Sequence, residues 1–127
     1  MQDKSLDTNH IMTQILLIKS FLVCRIIIFI FLLAYFLGAL WLILTKHTTA
    51  NSDEHTFYNI YGLADLTNFE SLWIVVYFMF TTLSTVGFGD FHPKSEIERI
   101  VMSFILLIGV ACFSYIMSQF ISIVLEV

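Results

Sequence analysis

The chain has 127 residues, of which 58% are hydrophobic and 13% are charged, and its formal net charge is −4. Its mean hydropathy of +0.87 is too apolar for a soluble domain, whose surface must meet water. The composition therefore excludes a soluble protein and indicates one that lives in a lipid bilayer.

The first 25 residues are predicted to form a cytoplasmic N-terminal segment. Residues 1–10 are polar and lack the apolar core of a signal peptide. Beyond them Ile11, Ile15 and Ile18 recur at helical spacing among polar residues that include Lys19. This pattern is typical of an amphipathic helix that lies along the inner membrane surface.

Two segments, residues 26–44 and 100–125, are apolar over about the 20 residues that a bilayer-spanning helix needs. We predict an outer helix over residues 26–44, with Tyr35 and Trp41 as interfacial aromatics. The second span belongs to an inner helix over residues 97–127, which follows a turn around Pro93. A hairpin of two spans places both termini on one side, which we expect to be the cytoplasmic side of the plasma membrane.

The segment between the spans is predicted to form a turret and a re-entrant loop. Residues 45–68 are polar and acidic and form the turret. Thr67 and Glu70 have capping-box spacing, and residues 69–82 would form a helix of about 21 Å, too short to span. Residues 83–90 then return with an irregular backbone, which is tolerated at membrane depth only inside protein or beside water. Because two helices enclose little, we expect several copies to close a ring.

Residues 85–90 read TVGFGD and carry the strongest functional signal in the chain. Backbone carbonyls can replace the water around a cation when Gly87 and Gly89 let the chain turn them toward one axis. Placed between two spans and after a half-length helix, this run resembles the selectivity filter of the potassium-channel pore family. Ether-à-go-go-like channels, which carry cyclic-nucleotide-binding domains, share the YFxF pattern of residues 77–80 and the GFG of residues 87–89. Miniature viral potassium channels resemble the chain over residues 84–90.

The resemblance implies an all-α membrane protein in which residues 26–127 form one quarter of a homotetrameric pore. Its parts are the outer helix, a re-entrant pore helix, the filter at residues 83–90 and the inner helix. K⁺ is then the permeant ion, not a cofactor. The implied K⁺ ligands are Thr85, Val86, Gly87 and Phe88, with Gly89 completing the filter.

The filter departs from the family pattern at its outer end. Many members hold the aspartate at the position of Asp90 with a filter tyrosine and a pore-helix tryptophan, but Phe88 and Phe78 stand at these positions. We therefore expect Asp90 to lack both aromatic partners. Thr81 faces the aspartate in the family and is expected to hold it directly or through water, with Tyr77 as a further supporting residue. We predict a filter that is prone to inactivation.

The inner helix is predicted to line the pore and to gate it. Gly109 stands where the family has a flexible glycine, and either a hinge or a close packing contact would explain it. Alignment from this glycine turns Phe113, Met117 and Ile121 toward the pore, where they would form a hydrophobic constriction. A second face carries small residues suited to helix packing: Ala111, Ser114, Ser118 and Ser122.

The outer mouth is predicted to be acidic and to carry a titratable histidine. The acidic residues would raise the local cation concentration, or they are ordinary solvated charges. His92 lies two residues after Asp90, so its protonation would place positive charge at the mouth, or it is simply exposed. The acidic residues in question are Asp53, Glu54, Asp65, Glu70, Asp90, Glu96 and Glu98.

The sequence thus predicts a subunit that conducts K⁺ passively across a membrane. A non-selective cation channel and a non-conducting regulatory subunit are the alternatives. Catalysis is not expected because the membrane-buried polar residues hold no paired nucleophile and base. Arg25 and Arg99 are too few for a voltage sensor, so we expect either a minimal channel or a larger one whose sensor or regulatory domain is missing here. The expected partners are K⁺, the lipid bilayer and further copies of the chain, and no nucleic acid.

Overall fold

The computed structural model describes residues 2–52 and 55–125, with side chains from residue 4 onward. In chain order it contains a long helix α1 (Gln2–Asn51), a short helix α2 (Phe57–Ile60), a 3₁₀ turn (Leu63–Asp65), helix α3 (Asn68–Leu83) and helix α4 (Glu96–Leu125). Helices α1 and α4 are both long and apolar enough to cross a membrane. The prediction of an all-α membrane protein is confirmed.

Helix α1 differs from the two separate elements expected of its sequence. It runs unbroken from Gln2 to Asn51, through the predicted surface helix, the predicted outer helix and the start of the predicted turret. At 1.5 Å per residue it extends about 75 Å, well beyond the about 30 Å of hydrocarbon in a bilayer. Its polar end is supported by Thr48 and Thr49, whose hydroxyls donate to the carbonyls of Leu44 at 2.9 Å and Thr45 at 2.8 Å.

The core lies where α1 crosses α3. Ala34, Leu37 and Trp41 of α1 are buried with Val75 and Met79 of α3 in one hydrophobic cluster. Gly38 lies at this crossing, where a Cβ would make van der Waals contact with the backbone of Val75 at 3.4 Å. Helix α4 completes the core with Met102 and Ile105.

Reciprocal caps set the starts of α3 and α4. At α3 the Thr67 amide donates to Glu70 at 3.0 Å and the Glu70 amide donates to the Thr67 hydroxyl at 3.3 Å. At α4 Ser95 and Glu98 exchange the same pair of bonds, at 3.1 and 3.3 Å. Helix α3 extends one residue beyond each end of the predicted pore helix, and α4 begins one residue before the predicted inner helix. Asp53 and Glu54 of the predicted mouth, and residues 126 and 127 of the predicted inner helix, lie outside the described residues.

Candidate functional site

The loop that leaves α3 has a backbone of alternating handedness. Thr85, Gly87 and Gly89 have positive φ angles of 62°, 54° and 79°. A Cβ on either glycine would meet nothing within 4 Å, so the φ angle, and not crowding, favours glycine there. Residues with positive φ thus alternate with Val86 and Phe88, whose φ angles are not positive, and such an alternation turns successive peptide groups the same way, unlike the alternating groups of a strand. The loop can therefore present a row of backbone oxygens to one side.

Side chains of this loop find no cover within the chain. Val86 is 55% exposed and Phe88 is 69% exposed. Groups outside this single chain are needed to cover them.

The inner end of the loop is tied to the last turn of α3. The Gly87 amide donates to the Thr81 carbonyl at 3.0 Å, and the Thr85 amide donates to the Thr82 carbonyl at 3.2 Å. The hydroxyl of Thr81 is buried and donates to the Phe78 carbonyl at 2.9 Å. Its proton is thus used within α3, so the expected direct hydrogen bond from Thr81 to Asp90 is not formed.

Asp90 takes its aromatic partner from Tyr77, which was named as a supporting residue, and not from the positions of Phe88 and Phe78. The Tyr77 hydroxyl donates to Asp90 Oδ2 at 2.8 Å, and the Phe91 amide donates to Oδ1 at 3.1 Å. Tyr77 lies one residue before Phe78, the position at which many family members have the tryptophan that bonds this aspartate. The hydrogen bond to Asp90, followed by burial and by the carboxylate charge, raises the pKa of Tyr77 above its ordinary value. The phenol therefore keeps the proton that makes this bond at neutral pH.

An aromatic cluster lies behind the outer end of the loop. The Phe57 ring is fully buried, and its centroid lies 5.2 Å from Phe78, 5.7 Å from Trp41 and 4.6 Å from Tyr61. Phe91, the residue after Asp90, lies 4.8 Å from Tyr61 and 6.1 Å from Phe57. Trp41 was predicted at the membrane interface but is 1% exposed and belongs to this cluster. Stacked and edge-on pairs of this kind each stabilise by about 0.5–1.5 kcal/mol beyond simple burial.

His92 is exposed and joins a small polar network with Lys94 and Tyr61. Its amide donates to the Tyr61 hydroxyl at 3.1 Å. Its Nδ1 lies 3.2 Å from the Pro93 carbonyl and its Nε2 lies 3.0 Å from Lys94 Nζ, which sits 5.3 Å from the centre of the Tyr61 ring.

Glu98 is the residue that the sequence interpretation misplaced. It was counted among the solvated acids of the mouth, yet it is 0% exposed. Its carboxylate accepts hydrogen bonds from Thr45 and from the amides of Phe57, Lys94 and Ser95. The spacing of Ser95 and Glu98 is the same capping-box spacing that was recognised at Thr67 and Glu70. This spacing is visible in the sequence and predicts that Glu98 caps the start of α4.

In α4, Gly109 makes a packing contact. It is buried, and a Cβ there would lie 3.5 Å from Leu83 Cδ2 and 3.7 Å from the Thr82 carbonyl oxygen, within an unbroken helix. The predicted constriction residues Phe113, Met117 and Ile121 are 38%, 40% and 49% exposed in the single chain. The residues of the small-residue face are exposed too, so exposure in a single chain does not show which of the two faces lines the pore. These residues are Ala111, Ser114, Ser118 and Ser122.

Known proteins match the part of the chain that holds this loop. The profile of a family described as "Ion channel" matches residues 53–126. The calcium-activated potassium channel slowpoke of Drosophila melanogaster is 39% identical over 54 residues, which are 42% of this chain and 4% of slowpoke. Potassium channel AKT2 of Oryza sativa subsp. japonica is 35% identical over 60 residues, 44% of this chain and 7% of that protein. No solved structure matches.

The matched segments are thus small parts of both relatives, which are named as potassium channels. The predicted resemblance to potassium-channel pore domains is confirmed, while the finer likeness to ether-à-go-go-like pores stays a prediction. The family match covers α2, α3, the loop and α4 as far as the structure describes them. The chain is an integral membrane protein and belongs to the ion-channel family.

Proposed function

We propose that the chain is one subunit of a potassium-selective channel that conducts K⁺ passively across the plasma membrane, with both termini cytoplasmic. The observation that carries the proposal is the alternating backbone of residues 85–89, held directly after the end of a helix that is too short to span. The filter ligands are the oxygens of Thr85, Val86, Gly87 and Phe88, with Gly89 completing the loop. The names of the two relatives support K⁺ as the ion.

Carbonyl oxygens explain why this loop favours a dehydrated monovalent cation. Its side chains carry no charge before Asp90, so the backbone oxygens are the ligands on offer. Helix α3 ends at Leu83, immediately before the loop. The negative end of its dipole adds a further attraction for a cation at this point.

What one chain leaves uncovered supports a closed ring of copies, and the number four comes from the resemblance to the potassium-channel pore family. Carbonyls from a single loop can touch an ion on one side only, and coordination needs oxygens all around it. The exposed Val86 and Phe88 need neighbours to pack against. A closed cyclic assembly meets both needs, because each copy supplies ligands to the axis and cover to the next copy.

The remaining parts of the proposed pore follow from the ends of the loop. Asp90 and His92 stand at the outer mouth. Phe113, Met117 and Ile121 of α4 form the inner gate, which closes by excluding water from an apolar constriction. Gly109 lets α4 pack against the end of α3, as its contacts with Leu83 and Thr82 support.

The test is ion flux from liposomes that contain the 127-residue chain. K⁺-loaded vesicles should release K⁺ while Na⁺-loaded vesicles release little Na⁺. Gly87→Ala should abolish the flux, because a side chain resists the φ of 54° in every copy of the loop. Gly62→Ala is the matched control, since Gly62 has a φ of 63° with equally open surroundings but lies in the turret.

The same experiment separates the alternatives. Equal K⁺ and Na⁺ flux would identify a non-selective cation channel. No flux from correctly inserted protein would identify a non-conducting subunit. If both Gly87→Ala and Gly62→Ala abolish the flux, the loss would reflect backbone strain at any glycine of positive φ and would not identify the loop as the ion path.

A further inference from the structure

We infer that Glu98 is a positioning residue that holds the outer end of the filter loop in its conducting geometry, an inference that rests on the proposed function. We call Glu98 with its hydrogen-bond donors the outer clamp; these donors are Thr45, Phe57, Lys94 and Ser95. The clamp joins the end of α1, the start of α2 and the chain that leads into α4. No family match or relative's name assigns a role to it.

The geometry of the outer clamp uses both carboxylate oxygens. Oε1 accepts from the Thr45 hydroxyl and from the Phe57 amide at 3.0 Å. Oε2 accepts from the amides of Lys94 at 2.9 Å and Ser95 at 3.1 Å, and also lies 3.1 Å from the Phe57 amide. The carboxylate is 0% exposed, so water does not compete for these donors.

Each partner in the outer clamp is a donor, which specifies a carboxylate at this position. The Thr45 oxygen already accepts from the Tyr58 amide at 3.0 Å, so its own proton is free to point at Glu98. The other three partners are backbone amides, which cannot accept. A glutamine of the same size would turn its NH₂ group toward these donors. Hydrogen bonds to a charged acceptor are also about twice as strong as neutral ones.

The outer clamp reaches the filter through Phe57. Its amide is held by Glu98, and its ring lies 5.2 Å from Phe78 of α3 and 6.1 Å from Phe91. The Phe91 amide in turn donates to Asp90 at 3.1 Å. One turn along the turret, the Tyr61 hydroxyl accepts from the His92 amide at 3.1 Å. Residues 90–92 are therefore positioned from two sides, by Tyr77 on α3 and by the turret that Glu98 fixes.

Loss of the clamp should shorten the time for which the filter conducts. Ion coordination itself does not involve Glu98, so the first openings should keep their unitary conductance and selectivity. Without the clamp, residues 90–92 gain freedom and the filter leaves its conducting geometry sooner. A purely structural role would reduce the number of channels without changing how long each one conducts. The decay of current therefore separates positioning from folding.

The experiment records current decay in planar bilayers at low external K⁺ for the wild-type chain and two variants. Glu98→Gln should speed the decay about tenfold, as expected for loss of a hydrogen bond to a buried charged group. Glu96→Gln removes the same charge from an exposed residue in the same helical turn. Current through the Glu96→Gln variant should decay at the wild-type rate. Loss of a charge at the mouth should change only the unitary conductance. Equal decay in the two variants would overturn the inference.

Variants of Thr45 test the same clamp in case the Glu98→Gln variant does not fold. Thr45→Val removes one donor at nearly constant size and should also speed the decay, while Thr45→Ser keeps the hydroxyl and should restore the wild-type rate. The double variant Thr45→Val with Glu98→Gln should decay no faster than Glu98→Gln alone, because both act on one bond network. Wild-type decay in Thr45→Val would contradict the clamp. Absence of selective K⁺ current in the wild type would instead overturn the proposed function, and the inference with it.

Discussion

The outer and inner halves of the molecule are organised in different ways. In the outer half, buried aromatics and capped helix starts hold the loop within a single chain, and Glu98 and Asp90 are both hydrogen-bonded. In the inner half, a cavity of about 610 Å³ is lined by residues of α1 and α4 such as Arg25, Phe29, Tyr115 and Gln119. The difference indicates that the outer end of the proposed filter, at residues 90–92, is positioned by its own chain. The proposed gate depends on what surrounds it.

The largest expected effect tests the packing side of this contrast. Phe57→Ala should lower the free energy of unfolding by about 3–5 kcal/mol, because it empties the centre of the aromatic cluster. Phe21→Ala in the inner half removes a ring that is 70% exposed and should change it by less than about 0.5 kcal/mol. Thermal unfolding in detergent measures both. Similar losses would mean that the two halves are equally packed.

The second effect tests the bond that the sequence interpretation missed. Tyr77→Phe removes the hydroxyl that Asp90 accepts from and should speed current decay about threefold to tenfold. Tyr35→Phe, at an exposed position of α1, is the control and should leave the decay unchanged. Recordings at low external K⁺ measure it. An unchanged rate in Tyr77→Phe would show that Asp90 does not need this partner.

The third effect sharpens the description of the inner half. Met117→Ala should widen the apolar constriction and raise the current that leaks through closed channels severalfold. Tyr115→Ala removes a larger side chain from nearly the opposite face of α4, where the Tyr115 ring lies 6.3 Å from Phe29 of α1, and should leave the leak unchanged. Single-channel recording of closed intervals measures this. If Tyr115→Ala leaks and Met117→Ala does not, the face assigned to the pore is wrong.

Much of this molecule could be predicted from its sequence, because membrane spans and helix caps leave local signals. The apolar runs and the Thr67–Glu70 spacing predicted α3 to within one residue at each end. The continuity of α1 could not be predicted from composition, since polar residues at both ends resemble surface segments. Tyr77 was named as a supporting residue, but its bond to Asp90 depends on how α3 rotates against the loop. Glu98 was misplaced because burial of an acid depends on donors that are distant in sequence.

The reversal potential under opposing K⁺ and Na⁺ solutions tests the central claim most directly. With a tenfold K⁺ gradient and Na⁺ as the balancing cation, a bilayer containing the chain should reverse close to the K⁺ equilibrium potential, about 59 mV from zero for a monovalent ion. Selective carbonyl coordination by residues 85–89 requires this value. A reversal potential near zero in the same solutions would contradict potassium selectivity and leave only a non-selective channel.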